Sequence, residues 1–174
     1  MAATAGLALA GALGAVVPSS ATATPSHAGG PSANFSALAT ARAASARFHD
    51  VRVALAAGYL VDEHCVAAPG LGVMGRHYVK PANFGSTDPT KPAALLYVSK
   101  PGGGLRLVAI EFLVADADQD LSTSGDRPTM FGHAFDGPML GHSETMPKHY
   151  DLHVWLWAHN PQGMFTPFNP AISC

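Results

Sequence analysis

The 174-residue chain is expected to fold as an α+β domain: one N-terminal helix packed on a small, mostly antiparallel sheet or open β-barrel, with long Pro/Gly-rich loops. Three observations predict this. Phe35 to Ala57 is rich in alanine and free of proline and glycine. After Gly58 the chain breaks into short apolar runs separated by Gly and Pro. Eighteen Gly and fourteen Pro beside only 13% charged residues describe a compact, loop-rich domain, not a long-helix protein or a disordered tail.

Taken in chain order, the first element is a removable leader. Ala5 to Val17 is an uncharged apolar run with the length of a signal-peptide core, too short to span a bilayer comfortably. Ala21-Thr22-Ala23 then fits the small-residue cleavage pattern, although no Lys or Arg precedes the apolar run. Residues 1–23 are therefore expected to direct export, 24–33 to form a flexible lead-in carrying His27, and 34–174 to form one globular domain. Once the leader is cleaved, no stable membrane insertion is expected.

The helix follows. Ala44, Phe48, Val51 and Leu55 recur at three- and four-residue steps and form one apolar stripe, with Gly58 as the stop signal. His49-Asp50 reads as part of the solvated face. The expected strands are His77 to Lys80, Ala94 to Ser99, Leu105 to Val114 and His149 to Ala158, with Lys100 to Gly104 turning the second into the third. Long connections remain at Pro81 to Pro92, Ala115 to Pro147 and Asn160 to Cys174. Two cysteines suit an exported chain, and a Cys65–Cys174 bridge would tie the Pro-rich tail to the body.

Ten Lys+Arg against twelve Asp+Glu leave a net charge of -2, so the chain has no basic field and no nucleic-acid partner is expected. The informative excess is nine His. In 149–157, strict alternation puts Tyr150, Leu152, Val154 and Leu156 on one face and His149, Asp151, His153, Trp155 and Trp157 on the other. Imidazoles bind Zn, Cu, Fe or Ni, and a carboxylate ligates directly or orients a histidine. The bland reading is a hydrogen-bonded polar strand face. Glu111 is the lone acid in an otherwise apolar strand, where a bare buried carboxylate costs several kcal/mol and must be paired, protonated or metal-bound. Alternation places it with Leu105, Leu107, Ala109 and Leu113, as a further ligand or a general base. Gly72 and Gly75 permit a close backbone approach before His77, and a turn-rich segment carries His142 towards His149. His133 and His159 rank below these.

Several chemistries are excluded. There is no P-loop, no dinucleotide fingerprint, no G-x-S-x-G elbow and no H-E-x-x-H. Asp116-Ala-Asp118-Gln-Asp120 begins like an EF-hand loop, but Leu121 stands where Gly is required and Arg127 where the bidentate Glu belongs. A solvated acidic loop is the expected alternative.

GLGVMGRHYV (70–79), DPTKPAALLYV (88–98), GGGLRLVAIEFLV (102–114) and DGPMLGHSETMPKHYDLHVWLWAHNPQGMF (136–165) resemble a group of small exported bacterial proteins of uncharacterised function. The resemblance implies one whole domain in a bacterial, exported setting and transfers no activity. A looser likeness to cupins supplies only the picture of strand-borne His and Glu ligands converging, because His149 and His153 stand four apart where cupins have H-x-H.

The leading expectation is a mononuclear metal site built from His77, His149 and His153, with Glu111 or Asp151 assisting and His142 as a further candidate. The rival is a metal-free domain binding a small ligand, sugar or peptide in a groove of Trp155 and Trp157 with Phe165 and Phe168. A third class is an acid–base enzyme working through Glu111. The expected partner is thus a metal ion or a small molecule.

Overall fold

In the computed structural model, residues 1–2, 31–142 and 145–174 are described, the side chains of Asp62 and Glu63 excepted. The expected leader core and cleavage motif, His27 and most of the lead-in lie outside the described residues.

The domain is α+β as expected, but its helical region is not one continuous helix. Helix α1 runs Pro31–Ser45, a 3₁₀ turn covers Ala46–His49, and α2 is only Val51–Ala56. The break has local causes. Ser45 Oγ bonds back to the Ala41 carbonyl at 2.8 Å, and Asp50 leaves helical geometry to cap α2, accepting from the Arg52 N–H at 3.0 Å. Asp50 is therefore a cap, not part of a continuous solvated helix face. His49 packs edge-on against Trp157 with ring centroids 4.3 Å apart. The break also rotates the apolar stripe: Ala41, Phe48 and Ala54 are buried, whereas Leu55 is 48% exposed.

Among the described residues eight strands follow: β1 Leu60–Ala68, β2 Gly72–Val79, β3 Ala94–Ser99, β4 Leu105–Ala115, β5 Thr129–Met130, β6 His133–Ala134, β7 Asp136–Met139 and β8 His149–Val154. Six form one antiparallel sheet in the order β1-β2-β3-β4-β8-β7, and β5 and β6 pair separately. The sheet is open and does not close into a barrel. β1 has no counterpart in the expected strands, because Asp62, Glu63 and His64 interrupt its apolar pattern. An edge strand tolerates such residues, since one side faces water.

The sheet divides the core. Leu95, Tyr97, Leu107, Ile110, Phe112, Tyr150, Leu152, Val154 and Leu156 pack with Ala41, Phe48 and Ala54 from the helical region. The Tyr97 hydroxyl donates to the Phe48 carbonyl at 2.5 Å. Ala94, Leu96, Val98, Val108, Ala109 and Trp155 make a second cluster on the opposite face, with Val73 from β2 and Ile172 from the tail.

Two irregularities decide which side chains share a face. Leu96 pairs with Ala109 and Tyr97 with Leu107, so β4 bulges at Val108. Leu105 and Leu107 consequently join the helix side. Glu111 shares its face with Ala109 and Leu113, not with all four residues that simple alternation gives. At the end of β8 the chain turns at Trp155, with the Leu156 N–H bonded to the Val154 carbonyl, and the Trp157 N–H reaches the carbonyl of the bulged Val108 at 3.1 Å. Trp157 thereby leaves the Trp155 face for the helix side, where its indole N–H donates to Ser45 Oγ at 3.2 Å beneath the Arg42 guanidinium.

The tail is pinned, as its length and aromatics imply. Asn169 bridges to Val73, the Trp155 indole N–H donates to the Thr166 carbonyl at 2.6 Å, and Cys65 and Cys174 form a disulfide.

Candidate metal centre

The face of the sheet turned away from the helices carries the acidic and imidazole side chains. β4 and β8 set Glu111 directly opposite His153, and β2 sets His77 opposite Leu96 on β3. His77 and Glu111 are thus two strands apart and one pleat offset. Their side chains meet across β3, where Ala94, paired with Glu111, presents only a methyl group. His77 Nε2 lies 3.4 Å from Glu111 Oε2, and His153 Nε2 lies 3.7 Å from Glu111 Oε1. One donor atom from each of the three residues falls within 4.8 Å of the others. Two donors each about 2.1 Å from an ion at a tetrahedral angle stand about 3.4 Å apart, so the group has the spacing of a coordination sphere.

Gly75 fixes the approach of β2. Its φ is +107°, and a Cβ there would stand 2.7 Å from the Tyr97 carbonyl oxygen on β3. The strands come that close only with glycine, and the close contact falls two residues before His77.

Burial sets the chemistry. His153 is fully buried and Glu111 nearly so, while the His77 side chain keeps 12% exposure and forms the outer edge. Desolvation, helped by His77 and His142, lowers the His153 pKa to about 3, so its imidazole is neutral and available as a donor. Desolvation, with the Asp151 charge second, pushes Glu111 well above the ordinary carboxylate range. Among the described residues, Glu111 Oε2 and both ring nitrogens of His153 have no hydrogen-bond partner although fully buried. Buried polar atoms normally find one, so this donor set fits a cation better than it fits its neighbours.

Asp151 stands beside the group. Its Oδ1 is 3.8 Å from His153 Nδ1, the ring nitrogen facing away from Glu111, which is beyond hydrogen-bond reach but on the side from which a carboxylate orients a liganding histidine. Desolvation and Asp136, its neighbour across β7, raise the Asp151 pKa to about 7. Asp136 carries no signal in the sequence, because only the β7–β8 pairing places it there.

The remaining candidates lie elsewhere. His149, four residues before His153 on the same strand, is about 13 Å along it. It is fully buried with Nε2 unpartnered, and the exposed His142 packs edge-on against it at 5.0 Å between centroids. His133 stacks on Phe165 at 3.8 Å, and His159 is exposed. Trp155 and Trp157 border an open hollow of about 570 Å³ with His159, Asn160 and Met164, while Phe165 packs towards the helix-side core.

No family model matches the chain, and no curated protein or solved structure matches it either. The fold class and the site therefore stand on their own geometry: an α+β domain whose His77, Glu111 and His153 could hold a metal ion.

Proposed function

We propose that the protein is an exported metal-binding domain that holds one divalent transition-metal ion through His77, His153 and Glu111, with Asp151 orienting His153. The convergence of those three side chains, with Glu111 Oε2 and the His153 ring nitrogens buried and without a hydrogen-bond partner among the described residues, carries the reading. Two imidazoles and one carboxylate suit Zn, Fe, Ni or Cu in preference to Ca or Mg. The export part of the reading is supported by the leader-like 1–23, the resemblance to exported bacterial proteins and the disulfide. No helix among the described residues is long and apolar enough to cross a membrane.

The metal content of the purified, untagged protein tests this. The expected result is close to one ion per chain, lost in His77→Ala and His153→Ala and retained in His149→Ala, which sits outside the group. Substoichiometric metal after loading with each of the four ions overturns the reading. So does metal that survives the paired His77 and His153 substitutions.

A further inference from the structure

We propose that the helix side of the molecule carries a binding site for a small molecule bearing a phosphate group, formed by Arg47, Lys80 and Lys91 around one hollow.

Arg47 comes from the 3₁₀ turn after α1, Lys80 directly follows β2, and Lys91 lies in the connection before β3. Ala44 in the last turn of α1 supplies a wall, and its small side chain leaves the space open. Phe48 and Tyr59 form the floor, and both belong to the helix-side core, so the hollow and the metal centre lie on opposite faces of the sheet. This floor is fixed. The two rings, each 2% exposed, meet edge to face at 5.1 Å, and the Tyr59 hydroxyl and Asn83 Nδ2 both donate to the Pro92 carbonyl, at 3.0 and 2.8 Å. The Arg47 guanidinium stands 4.6 Å from the centre of the Phe48 ring, and Lys80 Nζ stands 5.8 Å from that of Tyr59. The ring pair thus holds two cations beside the hollow by cation–π attraction before any ligand arrives.

Charge selects the ligand. The chain has a net charge of -2, yet three of its ten Lys and Arg line this hollow, and no Asp or Glu does. Among the described residues neither Arg47 nor Lys80 has a carboxylate partner. Lys91 Nζ lies 3.3 Å from Asp88 Oδ2, but both side chains are exposed, and such a pair contributes little. Stems laid over aromatic rings explain Arg47 and Lys80 singly, but not the gathering of three cations with no acid among them. The floor's Tyr59 hydroxyl and Asn83 amide are already bonded to Pro92, so the attraction comes from the cations. Three positive groups exceed the single charge of a carboxylate and match a phosphate dianion, with the planar fork of Arg47 on two oxygens and the ammonium groups as point charges. The hollow of about 500 Å³ is far larger than a phosphate ion and has the size of a small-molecule site, so the phosphate is borne on a larger molecule.

Titration calorimetry of the full chain with glycerol phosphate, inorganic phosphate and acetate tests this. Glycerol phosphate is expected to bind saturably with a Kd of about 1 mM or tighter, inorganic phosphate more weakly, and acetate most weakly. Arg47→Gln and Lys80→Gln, which keep much of each stem, should each weaken glycerol phosphate about tenfold, as loss of one charged contact does. Added NaCl should weaken it too, because charges open to solvent are screened. Arg106→Gln, at an exposed position on β4 outside the hollow, should bind like the unsubstituted protein. So should the paired His77→Ala and His153→Ala variant, which separates this site from phosphate held on a metal ion. Absence of saturation overturns the proposal, as does full affinity in the paired Arg47→Gln and Lys80→Gln variant or an equal loss in Arg106→Gln. Acetate binding as tightly as glycerol phosphate overturns the phosphate assignment. Inorganic phosphate binding as tightly overturns the larger ligand and leaves the free ion in its place.

Discussion

His153 and Glu111 illustrate how burial, not residue type, decides protonation. In the folded chain Glu111 is held protonated beyond its ordinary 4.5, and Asp151 up to about 7 from 3.8. The stability tied to each is present below the unfolded value and lost as pH rises through the folded one. His153, lowered to about 3 from 6.5, and His149, lowered in the same direction, act oppositely and cost stability in acid. Below pH 6.5 the two imidazoles offset the two carboxyls; above it only the carboxyls titrate, and the unfolded chain binds fewer protons than the folded one. The metal-free protein should therefore lose thermal stability between about pH 6.5 and 8. A metal ion takes the place of the Glu111 proton, so Zn²⁺-loaded protein should show a smaller loss. Melting temperatures at the two pH values, with chelator and with Zn²⁺, check this. A metal-free protein that gains stability towards pH 8 contradicts the assignment.

Strands, turns and bulges place those groups. β3 matches its expected bounds because its residues are apolar on both faces and end in a glycine turn. β1 escapes notice because its signal is interrupted at an edge, and the long helix divides because Ser45 and Asp50 offer the backbone alternative hydrogen bonds. The bulge at Val108 leaves no mark in the apolar pattern, since both its neighbours are apolar too. Gly75 is the sensitive position nearest the centre. Gly75→Ala should destabilise the fold by about 1–3 kcal/mol through its positive φ and its contact with the Tyr97 carbonyl. It should also weaken metal binding, because His77 sits two residues further along the same strand. Denaturant unfolding and a metal titration on one sample read both effects. Unchanged stability would mean that β2 moves away from β3 without penalty.

For the molecule as a whole, the tail and its disulfide cover one end of the sheet face that bears the centre. Asn169 on Val73 and Ile172 against the second cluster bring Cys174 to Cys65 across a sequence separation of 109 residues. Closing a loop of that length stabilises by about 4–5 kcal/mol in the chain-entropy account. Cys65→Ser with Cys174→Ser should lower the melting temperature clearly while leaving metal stoichiometry intact, since His77, Glu111 and His153 are fixed by β2, β4 and β8. Loss of the metal at temperatures where the variant is still folded would instead make the tail part of the site.

Read from the chain alone, the α+β class, the strands β3 and β4, the pairing of the two cysteines and the His149–Asp151–His153 face were legible, because each depends on local periodicity, glycine turns or a count of two. Glu111 stood out for the same reason, as one acid in an apolar strand. Which of the histidines join it was decided only in three dimensions. A strand carries no information about the register of its neighbours, so Glu111 finds His153 through the β4–β8 pairing and His77 through a diagonal across Ala94. His149, four residues away on the same face, is carried out of reach by the strand's rise. The burial of Asp116 is likewise tertiary and departs from the solvated acidic loop expected of it: Ala117 and Asp118 beside it are exposed, and only the return of Asp126, bonded to the Ala117 N–H and to the Tyr150 hydroxyl of β8, closes the loop around it.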